Sequence, residues 1–119
     1  MFDMNNIGTG RIAPGDTQEF IEVTVTFTDG EVSDAVYTCS EDEVLDDCGE
    51  TICRMIKYHT ADDIMQVTNN VVFYNTKNDI PRGKQYLAAM AVMAAKRAVA
   101  DWGRKNGIIY NNTNGCSCY

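Results

Sequence analysis

Residues 20–38 read FIEVTVTFTDGEVSDAVYT, and this pattern predicts a β-hairpin. Val23, Val25 and Phe27 alternate with threonines, which is the period of a strand with one buried face. Asp29-Gly30 is the strongest short-range hairpin signal, because both central residues of a type I′ turn take positive φ. The return strand leads directly into a loop of thiols and carboxylates. A half-buried sheet that ends in such groups is a natural place to hold a metal.

A long helix is expected over residues 84–106, which are rich in alanine, the best helix former. An apolar stripe along one face of this helix should lie on the sheet. Its members are Leu87, Met90, Ala94, Ala98 and Trp102. Gly107 follows two basic residues and is a good C-terminal stop.

Between the hairpin and this helix, short helices are expected. Asp46 or Asp47 can cap a helix that runs to about Lys57. Thr60 can cap the next one, with Asp63 at the capping-box position. A further helical piece can start at residues 68–70.

The order of strands and then helices predicts an α+β domain, a small antiparallel sheet with helices on one face. Val23, Val25, Phe27 and Val36 are the candidates for the face under the last helix. Residues 1–16 look irregular because of their glycines and proline, although a third strand could precede residue 17. We expect one domain over residues 1–106 and a cysteine-bearing tail over 107–119.

Composition limits the function classes. The chain has 119 residues and a net charge of −7, which argues against nucleic acid or an anionic membrane as partner. No apolar run approaches the roughly 18 residues that would span a membrane. With no export signal at the N-terminus, a reducing cytoplasm is expected, where thiols bind metal, react or stay inert. No phosphate loop, Ser-His-Asp set or dinucleotide fingerprint occurs, so we expect a protein that is not an enzyme.

Five cysteines are the main candidates for chemistry. Cys39 and Cys48 follow the hairpin, and soft thiolates of this kind select Zn²⁺, Cu(I) or iron–sulfur clusters. Cys53 lies five residues after Cys48 and so on a different helix face, where a buried, inert thiol is the expectation. Cys116 and Cys118 form a CxC pair that can chelate a soft metal, form a strained disulfide, or do nothing.

Two further features have alternative interpretations. Residues 41–50 contain six acids, which suit a solvated helix-capping loop, a cation site, or a docking surface for a basic partner. His59 is the only histidine, and a surface or capping role is expected for it.

Four segments share an order and a spacing with one known family. They are the hairpin 25–37, residues 57–63 (KYHTADD), residues 80–84 (IPRGK) and residues 98–102 (AVADW). Through them, residues 13–106 resemble the iron–sulfur cluster assembly scaffold proteins of the NifU/IscU type. The resemblance implies that family's fold, an iron–sulfur cluster or Fe/Zn as the bound group, and protein partners such as a sulfur donor or cluster acceptor.

The chain departs from the family at its three cysteine ligands. Pro14 stands in the first position, and the neighbouring Asp16 matches the family's aspartate. Asp42 stands in the second position, three residues after Cys39. Leu87 stands in the third, with Tyr86 in the place of a histidine. By the resemblance, Asp16 should lie near Cys39 and Tyr86.

Three hypotheses follow. The first is a non-enzymatic scaffold-like protein that binds a metal or cluster through relocated cysteines, namely Cys39, Cys48, Cys116 and Cys118, with Asp16 beside them. The second is a degenerate scaffold-fold subunit that binds no metal and mediates protein–protein contacts in a larger complex. The third is a sulfur-handling protein with an active thiol at Cys39 or Cys48. A second copy of the chain is a further candidate partner, because the tail can reach into a neighbour.

Overall fold

The computed structural model describes residues 4–15 and 17–110 of the chain. A short 3-10 helix, Met4–Asn6, leads into an antiparallel sheet with strand order β1-β2-β3. Its strands are β1 (Ile7–Ile12), β2 (Ile21–Thr28) and β3 (Glu31–Cys39). Four helices follow, namely α1 (Glu43–Ile56), α2 (Ala61–Met65), α3 (Asn69–Phe73) and α4 (Tyr86–Lys105). The expected α+β class, hairpin and long last helix are confirmed.

The hairpin turn has the expected conformation. Asp29 and Gly30 have φ values of 54° and 85°, the positive values that a type I′ turn needs. On β2, the alternate residues Ile21, Val23 and Val25 are fully buried under the helices. Threonines and charged residues line the opposite face, so the sheet has one core side and one polar side.

A β-bulge overturns the expected face of β3. The register shifts between Thr26 and Phe27, because β3 inserts one extra residue near Ser33. Side chains alternate strictly along a strand, so one inserted residue moves all later ones to the other face. Val36 is therefore 53% exposed rather than under the last helix, and the expectation for it was wrong. Cys39 instead faces the helices.

The region expected to be irregular contains β1, which pairs with β2. Gly8 and Gly10 are strand residues here, and α4 crosses directly above them. A Cβ atom at Gly8 would collide with the Ala98 carbonyl, and one at Gly10 with the Ala94 carbonyl. The glycines therefore let the helix backbone approach the strand closely, which explains why small alanines face them.

Side chains of α4 also cover the free edge of β1. The Asp101 carboxylate accepts the Thr9 N–H at 3.0 Å. One turn away on either side, Lys105 Nζ and Arg97 donate to the backbone carbonyls of residues 7 and 11, at 2.9 and 3.1 Å. Three side chains at i, i+4 and i+8 thus take the place of a neighbouring strand.

The ends of the helices follow local capping chemistry. Asp42 caps α1, accepting the N–H groups of Val44 and Leu45, so α1 begins earlier than the expected caps Asp46 and Asp47 would allow. Thr60 caps α2 as expected. At the end of α4, Gly107 has φ 80° and the Ile108 N–H bonds the Gly103 carbonyl at 2.7 Å, a Schellman motif. Within the described residues, no helix has the length and apolarity to cross a membrane.

Candidate functional site

The candidate site lies where β3 ends and α1 begins. The bulge in β3 turns Cys39 towards α1, where Cys48 is buried at 0% exposure. The two thiols are close enough for charge on Cys39 to affect Cys48. Of the three described cysteines, Cys39 is the most accessible, because Cys48 and Cys53 are both buried.

The surroundings hold both thiols in the protonated form. Burial, then the negative charges of Asp47 and Asp42, raise the pKa of Cys48 to about 12. Burial, then Asp46 and Asp42, raise the pKa of Cys39 above its usual value. Reactive cysteines need the reverse, a thiolate stabilised by positive charge or a helix N-terminus. The environment therefore disfavours an active thiol, and a metal bound here would have to displace a proton.

An open pocket of about 580 Å³ leads to Cys39. It is lined by Cys39, Ser40, Glu41, Asp42, Glu43 and Asp46. Two of its carboxylates already have partners. Asp42 caps α1 with one oxygen and lies 3.6 Å from Lys84 Nζ with the other. Asp46 accepts the Tyr37 hydroxyl at 2.7 Å.

Two further acids of α1, Asp47 and Glu50, also fix structure. Asp47 accepts the backbone N–H groups of Lys77 and Asn78, one on each carboxylate oxygen and both at 3.1 Å. Glu50 pairs with the Lys77 ammonium at 3.2 Å. These contacts hold the loop after α3 against α1. Most acids of residues 41–50 thus have structural contacts. The sequence did not show which of them would cap α1 and which would bind the loop after α3.

The start of α4 meets the same corner. The Tyr86 hydroxyl donates to Glu19 Oε2 at 2.7 Å, and the Phe20 N–H donates to the Ser40 hydroxyl at 3.0 Å. The hydrogen bond with Glu19, then slight burial and the charges of Glu19 and Asp42, raises the pKa of Tyr86. Asp16, predicted to lie here, is outside the described residues, so its placement stays a prediction.

The other residues singled out in the sequence differ in burial. Cys53 is 5% exposed and packs in the core, as expected for a small apolar residue. Leu87, which stands in a ligand position of the resembling family, is fully buried. His59 is exposed on the surface, with Nδ1 3.6 Å from the Asp63 carboxylate. Cys116 and Cys118 lie outside the described residues.

The described residues do not form a complete metal centre by themselves. Within residues 4–15 and 17–110, no group of three or more His, Cys, Asp or Glu side chains is arranged to hold a metal ion. A four-coordinate ion at Cys39 would therefore need ligands from the rest of the chain or from a second molecule. Asp16, Cys116 and Cys118 are the candidates in this chain.

Fold and site together define an α+β domain with a helix-covered, three-stranded sheet and a thiol-bearing acidic corner. Comparison with protein-family models gave no match, and comparison with curated proteins gave none either.

Proposed function

We propose that this protein is a non-enzymatic binding protein that holds a thiophilic metal ion or an iron–sulfur cluster at Cys39. The observation that supports this best is the placement of Cys39. The bulge turns its thiol to the inner face beside Cys48, at the mouth of an open acidic pocket. Carboxylates around the pocket attract cations, and a metal lowers the pKa of a thiol that it coordinates.

Cys116 and Cys118 would complete the ligand set. Tyr110 packs against Gly103 near the end of α4, and nine residues follow it. Cys116 and Cys118 follow Tyr110 by six and eight residues, which span at most about 20 and 28 Å, so the CxC pair has a limited range within one molecule. Because Gly103 lies about 25 Å along α4 from Tyr86 at the Cys39 corner, the pair would reach Cys39 of a second copy more readily than Cys39 of the same chain. A reducing cytoplasm, which keeps thiols free, suits this role.

The test is metal and labile-sulfide analysis of anaerobically purified protein, together with its visible spectrum. Cys39→Ser and the double variant Cys116→Ser/Cys118→Ser should each lose the bound metal. Cys53→Ala is the matched control and should retain it, because that thiol is in the core. Equal metal content in all variants, or none in the unmodified protein, would overturn the proposal.

A second candidate function has its own support. Asp42, Asp46 and Asp47 are engaged in capping and hydrogen bonding, and no three donors converge among the described side chains. A subunit that binds partner proteins and no metal fits these contacts. Metal-free protein that still forms a stable complex with a partner would favour this function over the first.

A further inference from the structure

The outer edge of β3 has unpaired backbone groups next to Cys39. The Ser40 N–H bonds the Phe20 carbonyl, so this pair is a hydrogen-bonded one. Hydrogen-bonded and non-bonded pairs alternate along an antiparallel ladder. The N–H and C=O groups of Ala35, Tyr37 and Cys39 therefore point away from β2. None of them has a partner among the residues that the structure describes.

The other strand edges are covered. The edge of β1 is capped by three side chains of α4. The start of β3 is paired too, because the Val32 N–H bonds the His59 carbonyl and the Tyr58 N–H bonds the Val32 carbonyl. Proteins usually block strand edges in this way to prevent unwanted pairing. Among the strand edges of residues 4–15 and 17–110, the five residues from Ala35 to Cys39 are therefore the exception.

The helix layer leaves room for one more strand at this edge. Two packed helices are about 8–10 Å apart, whereas strands are about 4.8 Å apart, so two helices cover roughly four strands. Here α4 and α1 cover three. Because α4 already reaches the outer edge of β1, the space that a fourth strand could fill lies beside β3, under α1. A groove of about 450 Å³ occurs there, lined by Ala35, Val36, Tyr37, Glu50, Cys53, Arg54 and Lys57.

We propose that this groove binds an extended segment of a partner protein, which pairs antiparallel with residues 35–39 of β3 as a fourth strand. The charges around the groove define the segment. Glu43 and Asp46 lie at the Cys39 end, and Arg54 and Lys57 lie at the Ala35 end. A segment that runs antiparallel to β3 would therefore carry a cation near its N-terminus and an anion near its C-terminus.

A second copy of this chain fits the groove less well. Pairing two β3 edges about a two-fold axis would bring the partner's α1 to the same side of the sheet. Each α1 lies over its own β3 strand, so the two helices would compete for the same space. A single extended segment has no helix of its own and avoids this conflict.

The test uses a synthetic peptide, Lys-Thr-Val-Thr-Val-Thr-Glu, added to the isotope-labelled full chain and followed by NMR. We expect the amide signals of Ala35, Tyr37 and Cys39 to shift as the peptide saturates. The charge-swapped peptide Glu-Thr-Val-Thr-Val-Thr-Lys should bind about five-fold more weakly, because antiparallel pairing would place each of its end charges beside like charges. Equal binding of the two peptides, or no shift at these amides at millimolar peptide, would overturn the proposal.

Protein variants locate the binding edge. Lys57→Glu should weaken the binding of the first peptide, whereas Arg82→Glu makes the same charge change away from the groove and should leave it unchanged. Ala35→Pro removes one outward N–H and no bond to β2, so it should weaken binding in a folded protein. Two other results would overturn the proposal. The first is protection of these amides from hydrogen exchange in the absence of peptide that is lost when residues 111–119 are deleted, which would assign the edge to the tail. The second is protection from exchange that grows with protein concentration, which would assign the edge to a second copy.

Discussion

The Phe27 ring stacks on the Trp102 indole, with ring centroids 3.8 Å apart and planes inclined by 14°. This contact joins the end of the hairpin strand β2 to the last turns of α4. The two residues are far apart in the sequence. Their contact therefore holds the hairpin against the last helix. Phe27 is 4% exposed, which makes it part of the core.

Phe27→Ala should lower the free energy of unfolding by about 3–5 kcal/mol, since it removes a buried aromatic ring and its stacking contact with Trp102. Urea denaturation measures this directly. Val36→Ala is the control on the neighbouring strand and should change stability by less than about 0.5 kcal/mol, because Val36 faces solvent. A cost below about 1 kcal/mol at Phe27 would contradict the packing described here.

Gly10→Ala should destabilise the protein by about 1–3 kcal/mol or more, because the new methyl group would meet the α4 backbone. Backbone atoms of a central helix cannot rotate away as a side chain can. Gly15→Ala is the matched control, since nothing lies within 4 Å of a Cβ atom there. Thermal unfolding of the two variants compares them. Similar melting temperatures would mean that α4 does not lie against β1 at Gly10.

Asp101→Asn should lower stability at pH 7 by about 1 kcal/mol, because a charged acceptor at the β1 edge becomes a neutral one. Burial raises the pKa of Asp101, but the Thr9 N–H and the nearby Lys105 and Arg104 outweigh it and hold the pKa below its usual value. A carboxylate whose pKa is lowered in the folded state stabilises the fold at pH values above its pKa in the unfolded state, which is about 4. This contribution disappears as the pH falls through the folded-state pKa.

Urea denaturation of both proteins at pH 7 and pH 3 checks this expectation. The difference between Asp101→Asn and the unmodified protein should shrink at the lower pH. A difference that is the same at both values would show that the carboxylate charge does not support the β1 edge.

The hairpin, the last helix and its glycine stop were predictable because each depends on residues close together in sequence. The face of β3 beyond the bulge was not. Val36 fits the alternation of an unbroken strand, and only the three-dimensional pairing of Thr26 shows that an extra residue intervenes. The same shift turns Cys39 to the helix side of the sheet, so the face of the candidate site also depends on the bulge.

The N-terminal strand was only an open alternative and the start of α1 was placed too late, for different reasons. Gly8 and Gly10 usually interrupt strands, and their role becomes clear only once α4 lies above them. Several adjacent acids could cap α1, and the sequence offers no means of choosing among them. The exit of β3 selects Asp42, which leaves Asp47 free to bind the loop at residues 77–78.

The last prediction concerns the reactivity of Cys39. In a Cys116→Ser/Cys118→Ser background, the Cys39 thiol should react with Ellman's reagent in the native protein. Cys48 and Cys53 are buried and should react only on unfolding. Asp46 raises the pKa of Cys39, after burial, so Asp46→Asn should increase the thiolate fraction at pH 7.5. We expect a rate about two- to five-fold higher, the effect of one partly screened neighbouring charge. Asp63→Asn removes the same charge on α2 and serves as the control. If both variants react at the rate of the parent, the Asp46 carboxylate does not act on the thiol, and the acidic pocket would not govern when Cys39 can bind a metal.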